Sequence, residues 1–394
     1  MADPTSGLHR RALRVAVLTY LGLLMTLFSL RPLYNWDLVG YVGSVLAWET
    51  PQAAAVHART YALLARALPH GAFSELIERL PYTRTVARDP EAFAEQLPFY
   101  RVKIGYVALL TGLRRLGVDL PRAVALVSTV STGASLWILF LWLESQLGSG
   151  RAAWITAAVG VSPPLLELGR LATPDALACL TVLSATWLLT LGRRSLAVGL
   201  GVAAVTVRPD TLVFIGLLAA TWYCSPQRAG DRARAVSLAA LALAVYWGEN
   251  HWAQTYTWTV LFHHTFTGWL AYPRNFQGRV TPGTYLRAVA EELPRLQTSV
   301  VVLFAAWLGL VRGVGRRLKG WSHPNDAATS PRYPEVILPA ALAAVVLHFL
   351  LFPSLADRFF VPQCLLWLVC VAAMLAEGEL ERGSDAASIH SVRV

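Results

Sequence analysis

Ten apolar stretches separated by charged connections constrain this chain more than any other feature. They cover residues 13–30, 122–143, 151–168, 174–191, 195–207, 210–224, 234–252, 297–313, 336–352 and 358–376. A transmembrane helix needs about 20 apolar residues, within a range of about 17–25. Most of the stretches reach that length, and 195–207 is the shortest. Of 394 residues, 55% are hydrophobic and only 15% charged, with a mean hydropathy of +0.47. Soluble domains average about 25% charged residues, so a soluble globule of this size would lack polar surface. That excludes an ordinary cytosolic enzyme, a disordered chain and a disulfide-rich secreted module. The expected fold is an all-α polytopic membrane protein with about ten transmembrane helices. The first stretch, LRVAVLTYLGLLMTLFSL, lacks the small-residue cleavage site of a signal peptide and is expected to be retained.

Positive charge sets the expected orientation. The net charge is +10, and Lys103 and Lys319 are the only lysines, so arginine carries nearly all of it. The arginines lie between apolar runs, with no basic helix or stacking motif. That pattern fits the positive-inside rule and anionic lipid, and excludes nucleic acid as a partner. Arg10, Arg11 and Arg14 place the N-terminus in the cytoplasm. Counting onward, the 144–150 connection, Arg193–Arg194, the Arg228/Arg232/Arg234 cluster, Arg312–Lys319 and the C-terminus also fall inside. The arginine-over-lysine bias is that of a GC-rich bacterium, which makes the membrane the inner membrane and the outer side the periplasm. Two external segments, 31–120 and 254–296, are too long to be simple connections. Within the first, 40–66 and 91–97 are expected as amphipathic helices. Residues 102–117 are expected as a helix lying in the interface, with a short span as the alternative. Residues 1–380 form one domain, followed by a cytoplasmic tail, 381–394, whose GSDAAS composition reads as irregular. Cys179, Cys224, Cys364 and Cys370 form no CxxC pair and read as small buried hydrophobes.

Ionisable residues close to hydrocarbon are costly and often functional, and several gather at the expected outer face. Asp37, in RPLYNWDLVGY, follows the first span and is either a reactive carboxylate or the N-cap of the next helix. Asp175, in RLATPDALA, stands where Thr173 would cap a helix and Pro174 would fit its first turn, with Arg170 one turn upstream as a partner. Arg208-Pro209-Asp210 repeats the Pro-Asp helix start, and Arg208 either serves a site or snorkels to lipid phosphate. Asp357 and Arg358 stand at the mouth of the last span, and Arg101 and Lys103 lie in PFYRVK. Adjacent His263 and His264 are poorly placed to chelate one metal ion. An external acid near several arginines suits glycosyl transfer from a lipid-phosphate sugar. A base takes the acceptor proton, and cations hold the departing phosphate. No GxGxxG opening a helix after a strand and no GKS/T loop is present, so a nucleotide fold is not expected.

At these residues the chain resembles the GT-C glycosyltransferase superfamily, in the branch of lipid A aminoarabinose transferases and protein O-mannosyltransferases. The likeness rests on Asp37 followed four positions on by Tyr41, on a long external loop, on RLATPDALA, on the TVRPD element and on DRFFVPQ at the last outer turn. It implies a GT-C fold with an external active site. The reaction implied is inverting transfer of a sugar from a polyprenyl-phosphate donor to a lipid, glycan or protein acceptor. It also implies Asp37 as the catalytic base and Tyr41, Arg101, Lys103, Arg170, Asp175, Arg208 and Arg358 as substrate-binding residues. The family's acidic pair after the first span is replaced by NWD-L, so no metal site is implied, and a divalent cation stays open as a cofactor. The alternatives are a transporter or flippase of a lipid-linked glycan, which would carry broken or polar segments at mid-membrane, and a structural subunit of an envelope complex. The second outer segment interleaves Tyr256, Trp258, Phe262, Trp269, Tyr272 and Phe276 with Arg274 and Arg279. It reads as an interface belt or as a flap over the donor, hinged at Gly268 and Gly278.

Overall fold

The computed structural model describes residues 4–225, 228–294 and 333–391. These residues are helical almost throughout. Their one β feature is an isolated bridge between Leu33 and Leu171. In chain order the helices are α1 (Pro4–Leu30), α2 (Asp37–Glu49), α3 (Ala53–Ala67), α4 (His70–Glu78), α5 (Pro81–Arg88), α6 (Pro90–Gln96), α7 (Pro98–Arg101), α8 (Ile104–Arg115), α9 (Leu120–Leu147), α10 (Ser149–Gly160), α11 (Pro163–Arg170), α12 (Asp175–Thr190), α13 (Arg194–Val207), α14 (Leu212–Cys224), α15 (Asp231–Ala253), α16 (Trp258–Phe266), α17 (Pro282–Glu292), α18 (Tyr333–Leu351) and α19 (Val361–Ser391).

Among the described residues, three helices are long and apolar enough to cross a membrane: Gly7–Leu30, Leu120–Leu147 and Tyr333–Leu351. A fourth is obtained if α10 and α11 count as one broken span, bent by 67°. The stretch 151–168, expected to be continuous, breaks because Pro163 and Pro164 open α11. A proline ring lacks the N–H that would continue the ladder from α10. The stretches at 174–191, 195–207 and 210–224 are apolar helices of at most 17 residues, and 358–376 supplies a comparably short apolar segment, Val361–Ala376, of the longer α19. Pro174 and Pro209 set two of their starts, and Gly192, at φ +73°, turns the chain between α12 and α13. Segment 234–252 is helical within α15 but is not among the apolar spans. It ends in Glu249, Asn250 and His251. Segment 297–313 and the Arg312–Lys319 cluster lie outside the described residues. Residues 381–391 of the tail are helical, since α19 continues through Ser391.

Two cores organise the molecule. The helical bundle packs α1, α9–α15, α18 and α19 around Phe28, Leu139, Phe140, Leu183, Phe214 and Leu366. Segment 31–120 is a helical layer with its own core. That core takes in Leu38, Val45, Phe93, Tyr106 and Leu110 and extends to Val124 at the start of α9. The amphipathic helix expected over 40–66 is two helices. Pro51 forces Thr50 into extended backbone (φ −140°, ψ 116°), which ends α2. Residues 102–117 form a single short helix, α8.

Charge separates toward the two ends of the bundle. At one end Arg10 and Arg14 hold Glu144 at 3.1 and 2.7 Å, and Arg194 holds Asp231 at 2.6 Å. Helices α12 and α13 connect that end to the opposite one, where Asp175 begins α12 and Arg208 follows α13.

Candidate functional site

The site is assembled at helix ends. After α1 the chain crosses the segment before α12: Leu33 N–H donates to Arg170 O at 2.8 Å, and Ala172 N–H donates to Leu33 O at 3.2 Å. The Arg170 guanidinium adds a bond from its Nε to Arg31 O at 2.6 Å. Arg170 therefore knits the two segments together and does not pair with Asp175, as its position one turn upstream had suggested. Ser128 on α9 donates to Thr173 O at 3.0 Å and fixes the approach to α12.

Neither aspartate acts as an N-cap. Asp37 is the first residue of α2, after Trp36 in right-handed backbone, and no side chain caps that helix. The Asp37 carboxylate accepts from Asn35 Nδ2 at 2.8 Å and from the Tyr100 hydroxyl at 3.4 Å. Asp175 starts α12 after Pro174, again with no side-chain cap. Thr173, the expected cap, donates its hydroxyl to the Asp175 carboxylate at 2.7 Å instead. Gly40 lets Tyr100 approach, because a Cβ there would sit inside the Tyr100 ring.

These carboxylates belong to one ion network. Arg208, extended at φ −148° before Pro209, donates to both oxygens of Asp210 at 2.9 and 2.6 Å and also closes on Asp175. Arg358 lies 3.6 Å from Asp175 and 4.0 Å from Asp37. His348 on α18 faces Asp210 at 3.8 Å. The Phe359 ring lies under both guanidinium groups, 4.6 Å from Arg208 and 5.1 Å from Arg358. Lys103 donates to Phe99 O at 3.1 Å, and its ammonium lies 5.2 Å from the Tyr41 ring and 5.4 Å from the Tyr100 ring. Asp37, Asp175 and Asp210 thus face Arg208, Arg358 and Lys103, formally in balance. Beneath the arginines a cavity of about 20 Å³ is lined by Asp175, Arg208, Asp210, His348, Arg358 and Gln363.

Burial pushes the Lys103 ammonium below its ordinary range, against the pull of Asp37. Burial also opposes charge on Arg208, but Asp175 and Asp210 more than offset it and raise its pKa. Burial, then the field of Asp37, holds the Tyr100 phenol well above its usual value, so it stays a neutral donor.

Of the residues expected at a site, Asp37, Tyr41, Lys103, Asp175, Arg208 and Arg358 converge here. Tyr41 is 2% exposed and packs edge-on against Tyr100 and Tyr106. Arg170 and Arg101 stand apart. Arg101 has Arg274, in segment 254–294, as its charged neighbour. The sequence reading passed over His348, Tyr100 and Asn35. His348 alone had a signal, as an ionisable group inside an apolar stretch. Among the described residues no group of three His, Cys, Asp or Glu side chains is arranged to hold a metal. The carboxylates here are interleaved with guanidinium groups, so the residues do not fit a divalent cation.

No protein-family model, no curated protein and no solved structure matches this chain.

Segment 254–294 is tied to α6 and to the end of α18. Gln96 donates to Leu270 O and Ala271 O at 3.1 and 2.9 Å, and the Tyr256 hydroxyl donates to Glu95 O at 2.8 Å. Trp258 and Tyr285 bond to Leu351 O and Leu350 O, both at 2.8 Å. His264 is buried against Phe99, Tyr82 and Trp269, and its Nδ1 accepts the Leu270 N–H at 3.1 Å. His263 bonds instead to Thr267, so the two histidines share no ligand position. Burial lowers His264 from 6.5 to about 4. A depressed histidine stabilises the closed segment above the unfolded value, and this stability is lost as pH falls toward 4. The stake is about 3 kcal/mol at most. Protection against amide exchange across 258–276, measured relative to the intrinsic exchange rate at each pH, is expected to fall between pH 6.5 and 4, and His264→Gln is expected to remove that dependence.

Proposed function

We propose that this chain is a membrane glycosyltransferase of the GT-C type, moving a sugar from a polyprenyl-phosphate donor to an acceptor at the outer face. The observation that carries this is the meeting of Asp37, Asp175, Arg208, Lys103 and Arg358, drawn from distant segments, at one mouth of an apolar bundle. On this proposal all ten apolar stretches cross a bacterial inner membrane, both termini are cytoplasmic, and the 31–120 layer covers the site from the periplasm. The separation of charge between the two bundle ends is in keeping with that orientation.

The chemistry is a single displacement. The Asp37 carboxylate takes the acceptor O–H proton as the acceptor oxygen bonds to the anomeric carbon. The bond from that carbon to the phosphate oxygen breaks with its electron pair, and the lipid phosphate departs as an anion held by arginine. Configuration at the anomeric carbon inverts. Arg208 is already saturated by two carboxylates and serves as the scaffold of the site, which leaves Arg358 to meet the phosphate. Its planar fork gives two parallel bonds, whereas lysine gives a point charge. Arg358→Lys is therefore expected to raise the Michaelis constant for the donor about tenfold. The primary test is incubation of purified protein in nanodiscs with polyprenyl-phosphate sugars. Release of free polyprenyl phosphate is expected, and intact donor in the presence of lipid, glycan and protein acceptors would refute the assignment.

A flippase of lipid-linked glycan is the second reading. It is favoured by the 67° break between α10 and α11 and by Glu249. That residue is 4% exposed on α15, and neither of its carboxylate oxygens has a hydrogen-bond partner among the described residues. Movement of a labelled lipid-linked sugar across proteoliposomes without its consumption would favour it.

A further inference from the structure

The two arginines of the network differ in what they can release. Arg208 is 12% exposed, hydrogen-bonded to both oxygens of Asp210 and closed on Asp175. Arg358 is 24% exposed and stands 3.6 and 4.0 Å from its two carboxylates. Those distances lie beyond hydrogen-bond reach, so charge and the face of Phe359 hold it there without a hydrogen bond to either carboxylate. The carboxylates differ too. Asp175 is 4% exposed and locked to Arg208 and Thr173. Asp37 is 31% exposed and keeps its own donors, Asn35 and Tyr100, if Arg358 leaves.

Because the network is charge-balanced, an arriving phosphate finds no surplus cation. It gains a partner only by replacing a carboxylate, and the pair that opens at least cost is Arg358 with Asp37. We propose that the donor phosphate binds by taking Arg358 from Asp37, so that Asp37 becomes free to accept a proton only after the donor is seated. This deepens the glycosyl-transfer reading and rests on it. One guanidinium then couples donor binding to release of the base and imposes a donor-first order. An acceptor arriving first meets a carboxylate still facing Arg358, while a seated donor turns the same arginine toward the leaving group.

A consequence separates this exchange from a passive base. Asp37 competes with the donor for Arg358, so removing its charge strengthens donor binding even as it removes the base. The probe is undecaprenyl phosphate, titrated into protein in neutral-lipid nanodiscs. Asp37→Asn is expected to bind it about tenfold more tightly, the low end of the coupling between close charge pairs at a binding site. Arg358→Gln is expected to bind it at least about tenfold more weakly. In the Arg358→Gln background, adding Asp37→Asn is expected to change nothing, because the competition has lost its object. Asp37→Ser gives the same readout should the asparagine variant fold poorly. Unchanged or weaker binding by the Asp37 variants overturns the exchange. So does equal tightening with Arg358 absent, which would be plain repulsion between anions. Absence of saturable binding to the unaltered protein would overturn the glycosyl-transfer reading itself, and the exchange with it.

Discussion

Asp37→Asn is expected to lower turnover about a thousandfold, within the range of about 10²–10⁴ that a positioned general base contributes. The substitution keeps size and can keep the bond from Asn35, and it disturbs no cap, since Asp37 caps nothing. It removes the charge that accepts the proton. Thermal unfolding of the variant is expected to stay close to that of the unaltered protein, because Asp37 is 31% exposed and its pairing with Arg358 is long. Near-normal turnover in a folded variant would remove Asp37 from the mechanism and leave the network as scaffold.

Arg208→Gln is expected to have the largest effect on stability. Arg208 holds two carboxylates that belong to the helix starts after α11 and α13. Its loss leaves Asp175, 4% exposed, with Arg358 at 3.6 Å as the remaining charge partner. Breaking a buried pair from one side costs about 3–5 kcal/mol, because the remaining charge stays buried. Removing the stranded charge as well, in Arg208→Gln with Asp175→Asn, is expected to recover part of that loss. Asp210→Asn is expected to cost much less, since Asp210 is 36% exposed and water screens what remains. The shift in unfolding midpoint in detergent measures all three. A double variant no better than Arg208→Gln would mean that the pairing with Asp175 carries little of the stability.

The candidate site was legible in unequal parts. Asp37, Asp175, Arg208 and Arg358 stood out because ionisable groups at the edges of apolar stretches are costly and rarely incidental. Their partners were not legible. Arg170, Thr173 and Asp175 lie within one turn of each other, and local capping grammar assigns them to one another. Thr173 does reach the Asp175 carboxylate, but Arg170 turns to a carbonyl after α1 and Asp175 pairs with residues far along the chain. Arg101 and Lys103 are two positions apart and part company. Lys103 lies against Tyr41 and Tyr100, whereas Arg101 lies beside Arg274.

By itself the sequence determined an all-helical, apolar chain and the places where its helices stop. Hydrophobic periodicity and composition act through nearest neighbours, and a proline blocks the backbone ladder wherever it stands. The breaks at Pro51 and Pro163–Pro164 follow from those local effects, although unbroken helices were expected over 40–66 and 151–168, and so does the separation of charge toward helix ends. Only the tertiary structure decided that the 31–120 segment has a core of its own, and that five helix ends bring three carboxylates and three cations into one balanced network. Charge pairing depends on distance through space, and that distance is set by how the helices pack. A residue's own neighbours fix its helical face but carry no information about which distant end that face will meet.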